Sequence, residues 1–206
     1  MHEIEVMNRR ALMQRMALLL GASAIPAEAF AAAKPRARKR FLTPAQFATL
    51  STVADTMLPT TDTPGAVAAG VPAKLDGMLG TWAAPATRTL ITDALGRIDT
   101  AAKTQKGKGF ATLAPAVRAA LLKSHDVAAL KPAAAPPGAP KVVFFSPITY
   151  VADQGYLKLK ELVINLYYYS EIGASKELIY EHVPGTYEPS IKLTPQSRPY
   201  LGVGPF

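Results

Sequence analysis

Cysteine is absent from the 206-residue chain. Disulfides, c-type haem attachment, iron–sulfur clusters and thiolate zinc sites are therefore all excluded from it. Histidine is scarce. Of the three, His2 lies near the start, while His125 and His182 have no second histidine at ligand spacing and no His–Glu pair that would hold zinc. They read as exposed or hydrogen-bonded structural residues. The glycine fingerprint of a dinucleotide site is incomplete: Gly107-Lys108-Gly109 and Gly202-Val203-Gly204 come nearest, and neither follows a strand pattern. A phosphate loop is missing, and so is the Gly-x-Ser-x-Gly elbow of a serine nucleophile. Glu177 and Glu181 stand one helical turn apart, but Lys176 adjoins them and nothing else converges, the pattern of a solvated face. No apolar run reaches the ~20 residues of a spanning helix. Internal repeats and sustained β-type alternation are missing too. The residues therefore assign no catalytic group, metal or cofactor to this chain.

What is present begins with an address label. The stretch "NRRALMQRMALLLGASAIPAEAFAAA", Asn8 to Ala33, carries Arg9, Arg10 and Arg15, then a short apolar run from Met16 to Ile25. Ala27-Glu28-Ala29 and Ala29-Phe30-Ala31 both fit a small-x-small cleavage site. Arg9, Arg10 and Leu12 further resemble the twin-arginine export signal, which a receptor reads and which does not anchor. That resemblance implies cargo that crosses already folded, commonly with a cofactor in place. Residues 1–31 are the expected signal and 32–41 a basic arm.

Removing the signal leaves roughly 175 residues, one domain on length alone. A chain of that size buries roughly 70% of its unfolded surface and needs no covalent staples. Net charge is +8, and its distribution is uneven. Lys34, Arg36, Arg38, Lys39 and Arg40 crowd five cations into seven residues, whereas from Phe41 onward 15 basic residues face 12 acidic ones. Such an arm suits phosphates, an anionic membrane or an acidic partner. No basic face with interleaved aromatics follows it, so nucleic acid is not expected as a partner.

Residues 42–206 read as a single helical domain. Thr43-Pro44-Ala45-Gln46 is a helix start, with Thr43 as cap, Pro44 in the first turn and Gln46 completing a capping box. Phe47, Leu50, Ala54, Met57 and Leu58 follow at helical spacing, and Pro59 stops them. Val71-Pro72 opens a second helix with Leu75, Met78, Leu79 and Trp82 on one stripe. A third runs from about Pro85 through Leu90, Ile91, Ala94, Leu95 and Ile98 until "KTQKGKG" breaks it. Phe110 and Leu113 precede a fourth, started by Pro115, with Val117, Leu121 and Leu122 inward. Lys131 to Lys141, "KPAAAPPGAPK", is an extended Ala/Pro-rich connector. Ser146-Pro147 is expected to start the longest helix, ending near Tyr169, apolar over much of its surface and so central. A short helix is expected over Ala174 to Tyr180. The rest of 171–206 reads as an extended tail lying across another surface. The fold class is mainly α, a small helical bundle with an irregular, extended C-terminal segment.

One concentration stands out: Tyr167, Tyr168, Tyr169, Tyr180, Tyr187 and Tyr200. Tyrosine combines large contact area with a polar end, which suits interfaces and cores alike.

Three segments, "LTPAQFATLSTVADTMLP", "GVPAKLDGML" and "YYYSEIGASKELIYEHVPGTYEP", resemble the gluconate 2-dehydrogenase subunit 3 family. The resemblance covers roughly Leu42 to Pro189 and is most specific from Tyr168 to Pro189. It implies a non-catalytic small subunit that binds, stabilises and escorts a large FAD-containing dehydrogenase of the glucose-methanol-choline type. That partner would oxidise sugars, sugar acids or glycosides. A multi-haem cytochrome c is implied as a possible third subunit, the twin-arginine translocase as the export partner, and the periplasmic face of the inner membrane as the location. Tyr167, Tyr168, Glu171, Ile172, Tyr180, Pro184, Gly185, Tyr187 and Pro189 are the expected partner interface. The connector from Lys131 to Lys141 and a tail without cysteine depart from many relatives. The competing reading is a stand-alone envelope protein attached to anionic membrane by its basic arm.

Overall fold

In a computed structural model the protein is described at residues 40–139, 142–143, 146–147, 149–179, 190, 192–194 and 197–200. It is mainly helical there. Helix α1 spans Pro44–Met57, α2 Val71–Thr81, α3 Pro85–Lys106, α4 Pro115–Ala129 and α5 Gln154–Tyr168. A 3₁₀ turn, Phe110–Thr112, lies between α3 and α4. The two-residue strands β1, Val142–Val143, and β2, Ser146–Pro147, pair antiparallel.

Helix starts follow from sequence chemistry. The expected capping box is present at α1: the Thr43 hydroxyl accepts from the Gln46 N–H, and the Gln46 side chain accepts from the Thr43 N–H. Helices α1 to α4 all carry proline in the first two positions, where a missing N–H costs nothing. Helix α3 takes in the first four residues of "KTQKGKG", Lys103 to Lys106, and stops at the first glycine. It ends at Gly107, whose φ of 68° closes the last turn, with Lys103 and Lys106 complementing the helix dipole.

A single core joins the helices. Leu50 and Val53 of α1, Leu75 and Leu79 of α2, Ile91, Leu95 and Ile98 of α3, Leu121 of α4, Phe110, and Tyr156, Leu159 and Val163 of α5 are all buried. Helix α5 is central, as its apolar surface implied, and packs most extensively on α3 and then on α2. The crossing with α3 is backbone to backbone: a Cβ on Gly155 would lie 2.4 Å from the Leu90 carbonyl oxygen. Beside it Arg97 and Asp153 form a bidentate pair, both bonds 2.7 Å.

The structure corrects four sequence expectations. Helix α5 starts at Gln154, not at Ser146-Pro147, and α3 is the longest helix at 22 residues. Asp153 is the cap, accepting from the Tyr156 N–H at 2.9 Å. The residues before it cannot be helical because their backbone is committed elsewhere. The Tyr150 carbonyl accepts from Ala133 N–H, and Ala152 N–H donates to the Lys131 carbonyl, tying this stretch to the extended connector. Trp82, placed on the inward stripe of α2, follows its last turn and is 77% exposed. Leu90 is 42% exposed on the outer side of α3. The short helix expected over Ala174 to Tyr180 is a π-turn over Gly173–Glu177, starting one residue earlier and ending before Leu178.

Candidate partner interface

Three segments meet at the C-terminal end of α5. The first is the loop between α1 and α2. The second is the stretch from Tyr167 through the π-turn. The third is the tail at 197–200.

Spacing along α5 decides which tyrosine does what. Tyr156, Leu159, Val163 and Tyr167 recur every three or four residues and face the core. Tyr167 is 3% exposed, and its hydroxyl donates to the Pro64 carbonyl at 2.9 Å, fixing the α1–α2 loop. Tyr168 is half-buried, packed against the core and edge-on to Tyr167 with ring centroids 5.3 Å apart. Tyr169 falls on the opposite side and is 79% exposed.

The chain then turns sharply. The Ser170 hydroxyl donates to the Tyr167 carbonyl at 2.6 Å and accepts from the Gly173 N–H at 3.0 Å. A Cβ on Gly173 would lie 2.1 Å from the Tyr167 carbonyl oxygen, so no other residue fits this reversal. Ser170 and Gly173 of "SEIG" are therefore folding requirements. Glu171 is left exposed, and Ile172 packs partly on the core.

Arg198 gathers the tail onto this end. Its guanidinium donates to Asp62 of the loop and, at 3.0 Å, to the Lys176 carbonyl, and it lies 3.6 Å from Glu177. Glu177 accepts from Thr63. It is therefore a bridge between loop and turn and not part of a solvated face, as the sequence had implied. The Asp62 carboxyl is held below its usual range, first by the Thr61 hydroxyl, then by its own backbone and the Arg198 charge. Ile179 N–H donates to the Pro199 carbonyl at 3.0 Å, and Ile179 and Tyr200 form a parallel bridge. Tyr200 and Leu193 are 54% and 78% exposed, and Val67 of the loop is 47% exposed.

Four expected interface residues can therefore be placed here. Glu171 and Ile172 lie at the surface of this end, Tyr168 is partly available, and Tyr167 is a core residue that shapes the loop. Tyr180, Pro184, Gly185, Tyr187 and Pro189, and the signal residues Arg9, Arg10 and Leu12, lie outside the described residues. The sequence counted Tyr169 in the tyrosine cluster but not among the expected interface residues, and nothing local marked Arg198.

The other polar cluster is structural in character. A shallow groove of about 270 Å³ is lined by Thr56, Met57, Asp126, Tyr156 and Lys160 among others. Asp126 is already satisfied by the Tyr156 hydroxyl at 2.9 Å and Lys160 at 2.6 Å. Burial, then the Asp126 hydrogen bond, pushes the Tyr156 hydroxyl far up, so it stays protonated. His125 lies edge-on to Tyr156 at 4.9 Å, and burial lowers its pKa, keeping it neutral near pH 7. After the Gly107-Lys108-Gly109 turn the Asp99 carboxylate accepts from Phe110 N–H at 2.9 Å and pairs with Lys103 at 2.7 Å. Among the described residues no group of three His, Asp or Glu could hold a metal ion.

Residues 44–185 match the family model described as gluconate 2-dehydrogenase subunit 3. The chain belongs to the gluconate 2-dehydrogenase subunit 3 family. No curated protein and no solved structure matches it. The family's description names a subunit of a dehydrogenase complex, and the match runs from the start of α1 through the π-turn into the segment that leaves this end. In this subunit 3 chain, the loop, the Tyr167–Gly173 reversal and the first part of the tail segment all fall within the matched residues.

Proposed function

We propose that this subunit 3 chain is the non-catalytic small subunit that binds, stabilises and escorts a large FAD-containing dehydrogenase through the twin-arginine route. The partner, of the glucose-methanol-choline type, oxidises sugars, sugar acids or glycosides and holds the flavin. A multi-haem cytochrome c accepts the electrons where a third subunit is present. The complex works on the periplasmic side, at the inner membrane.

The family match over residues 44–185 carries this reading. Two features agree with it. One is the pairing of Arg9 and Arg10 with an apolar run, a signal suited to folded cargo. The other is the α5 end, where Tyr169, Val67 and Tyr200 leave apolar area exposed near the polar residues Glu171, Arg198 and Lys176. Aromatic area with a polar margin is the composition of a protein interface. Replacing Arg9 and Arg10 by lysine tests the escort role. The large subunit should then remain in the cytoplasm, and its unchanged arrival in the periplasm would refute the role.

A further inference from the structure

The tail reaches the α5 end without a core of its own. Among its described residues, Ser190, Lys192 to Thr194 and Ser197 to Tyr200, Arg198 is half-buried and every other is exposed. Polar contacts, not burial, therefore hold this segment. A short turn braces it from within. The Thr194 N–H donates to the Ser197 hydroxyl at 2.8 Å, and the Ser197 N–H donates to the Thr194 carbonyl at 3.0 Å.

Arg198, the next residue, joins the tail to two segments distant in sequence. Its guanidinium donates to Asp62 of the α1–α2 loop and to the Lys176 carbonyl of the π-turn, and stands 3.6 Å from Glu177. A planar fork with several donors suits acceptors on different segments, which the single ammonium of lysine does not. Loop and turn are already tied together without it, because the buried Thr63 donates to Glu177. Arg198 thus closes on a ledge that the rest of the domain has built. Next to it the Pro199 carbonyl accepts from Ile179 N–H, and Tyr200 bridges to Ile179 with its side chain still 54% exposed. Arg198 and Tyr200 both lie beyond the matched residues 44–185. An exposed aromatic on a segment that adds nothing to the core serves by what it presents.

We propose that Arg198 is a positioning residue for partner capture, clasping the tail to the loop and the π-turn in the free chain so that the large subunit meets Tyr200 on a surface already assembled. Ordering a loose tail during association would subtract from affinity, and a clasp formed beforehand removes that cost. The inference rests on the dehydrogenase-subunit reading and adds how its α5 end is made ready.

The test combines two readouts on the mature chain. Hydrogen exchange of the isolated chain follows the Ile179 amide, whose acceptor is in the tail. A binding titration uses the flavin-bearing large subunit that co-purifies with this chain. Arg198→Ala should speed Ile179 exchange about tenfold and weaken capture about tenfold. Its melting temperature should stay within about 2 °C, since the contacts lie at the surface. Asp62→Asn should act in the same direction, and the double variant should lose little more than Arg198→Ala alone, because both substitutions open one clasp. Capture unchanged in Arg198→Ala would overturn the proposal and leave the subunit reading standing. So would weaker capture with Ile179 still protected, which would make Arg198 a direct contact, and so would losses that simply add in the double variant. Wild-type chain that captures no flavin-bearing subunit would overturn the subunit reading and this inference with it.

Discussion

The Tyr167 hydroxyl reaches across 103 residues of sequence to the Pro64 carbonyl at 2.9 Å. One buried side chain at the end of α5 thereby holds the loop between α1 and α2, and the exposed surface of this end is built upon that contact. Tyr167 and Tyr169, two residues apart, consequently answer different questions. Tyr167→Phe removes one buried hydrogen bond and should cost about 1 kcal/mol. In a domain of this size that lowers the melting temperature by about 2–4 °C. Tyr169→Ala should leave stability within about 0.5 kcal/mol, yet weaken capture of the large subunit about tenfold or more if Tyr169 is an anchor. Thermal melts together with a binding titration separate the two. Equal affinity for the wild type and Tyr169→Ala would remove this end from the interface.

Glycine substitutions should split in sign. Gly173→Ala places a methyl 2.1 Å from the Tyr167 carbonyl and should destabilise by about 1–3 kcal/mol through forced backbone movement. Gly96, inside α3, has nothing within 4 Å of its would-be Cβ. Gly96→Ala should therefore stabilise by about 0.5–1 kcal/mol through helix propensity. Denaturant melts of both variants check the pair.

Acid should weaken the fold in two stages. Burial lowers the His125 pKa, so the unfolded chain binds a proton that the folded one does not. Stability therefore begins to fall as pH drops below about 6.5. Asp153 behaves as a depressed carboxylate. Burial, the largest influence, works to raise it, but the Arg97 hydrogen bonds, the Tyr156 N–H and nearby positive charge together bring it below its usual value. Its contribution is present above about pH 3.9 and is lost as pH falls through the lowered folded value. Asp153→Asn, which keeps a capping side chain, should reduce the acid stage of a stability–pH curve and, because the Asp153 charge raises the His125 pKa, should deepen the stage near neutrality. His125→Gln should flatten only the stage near neutrality.

Local chemistry made much of the bundle legible. Thr43, Pro44 and Gln46 specify the start of α1 without help from the rest of the chain, and the period of Ile91, Ala94, Leu95 and Ile98 identifies the buried side of α3. Ser146-Pro147 looked like an equally good helix start. It fails because the backbone of Tyr150 and Ala152 bonds to the connector, a non-local pairing that no window of sequence displays. Trp82 fits the apolar stripe by spacing but falls just past the last turn of α2, where the helical period no longer governs direction. The same limit applies at the α5 end. Tyr169, like Trp82, stands just past the end of its helix, and Arg198 is recruited by Asp62, Lys176 and Glu177 from distant segments.

The most direct measurement is a mild tagged pull-down of this chain from periplasm and membranes, with an absorption spectrum of what accompanies it. A larger companion with a flavin spectrum, and sugar or sugar-acid dehydrogenase activity in that complex, is the predicted result. A colourless, solitary chain, repeated under mild conditions, would contradict the escort role.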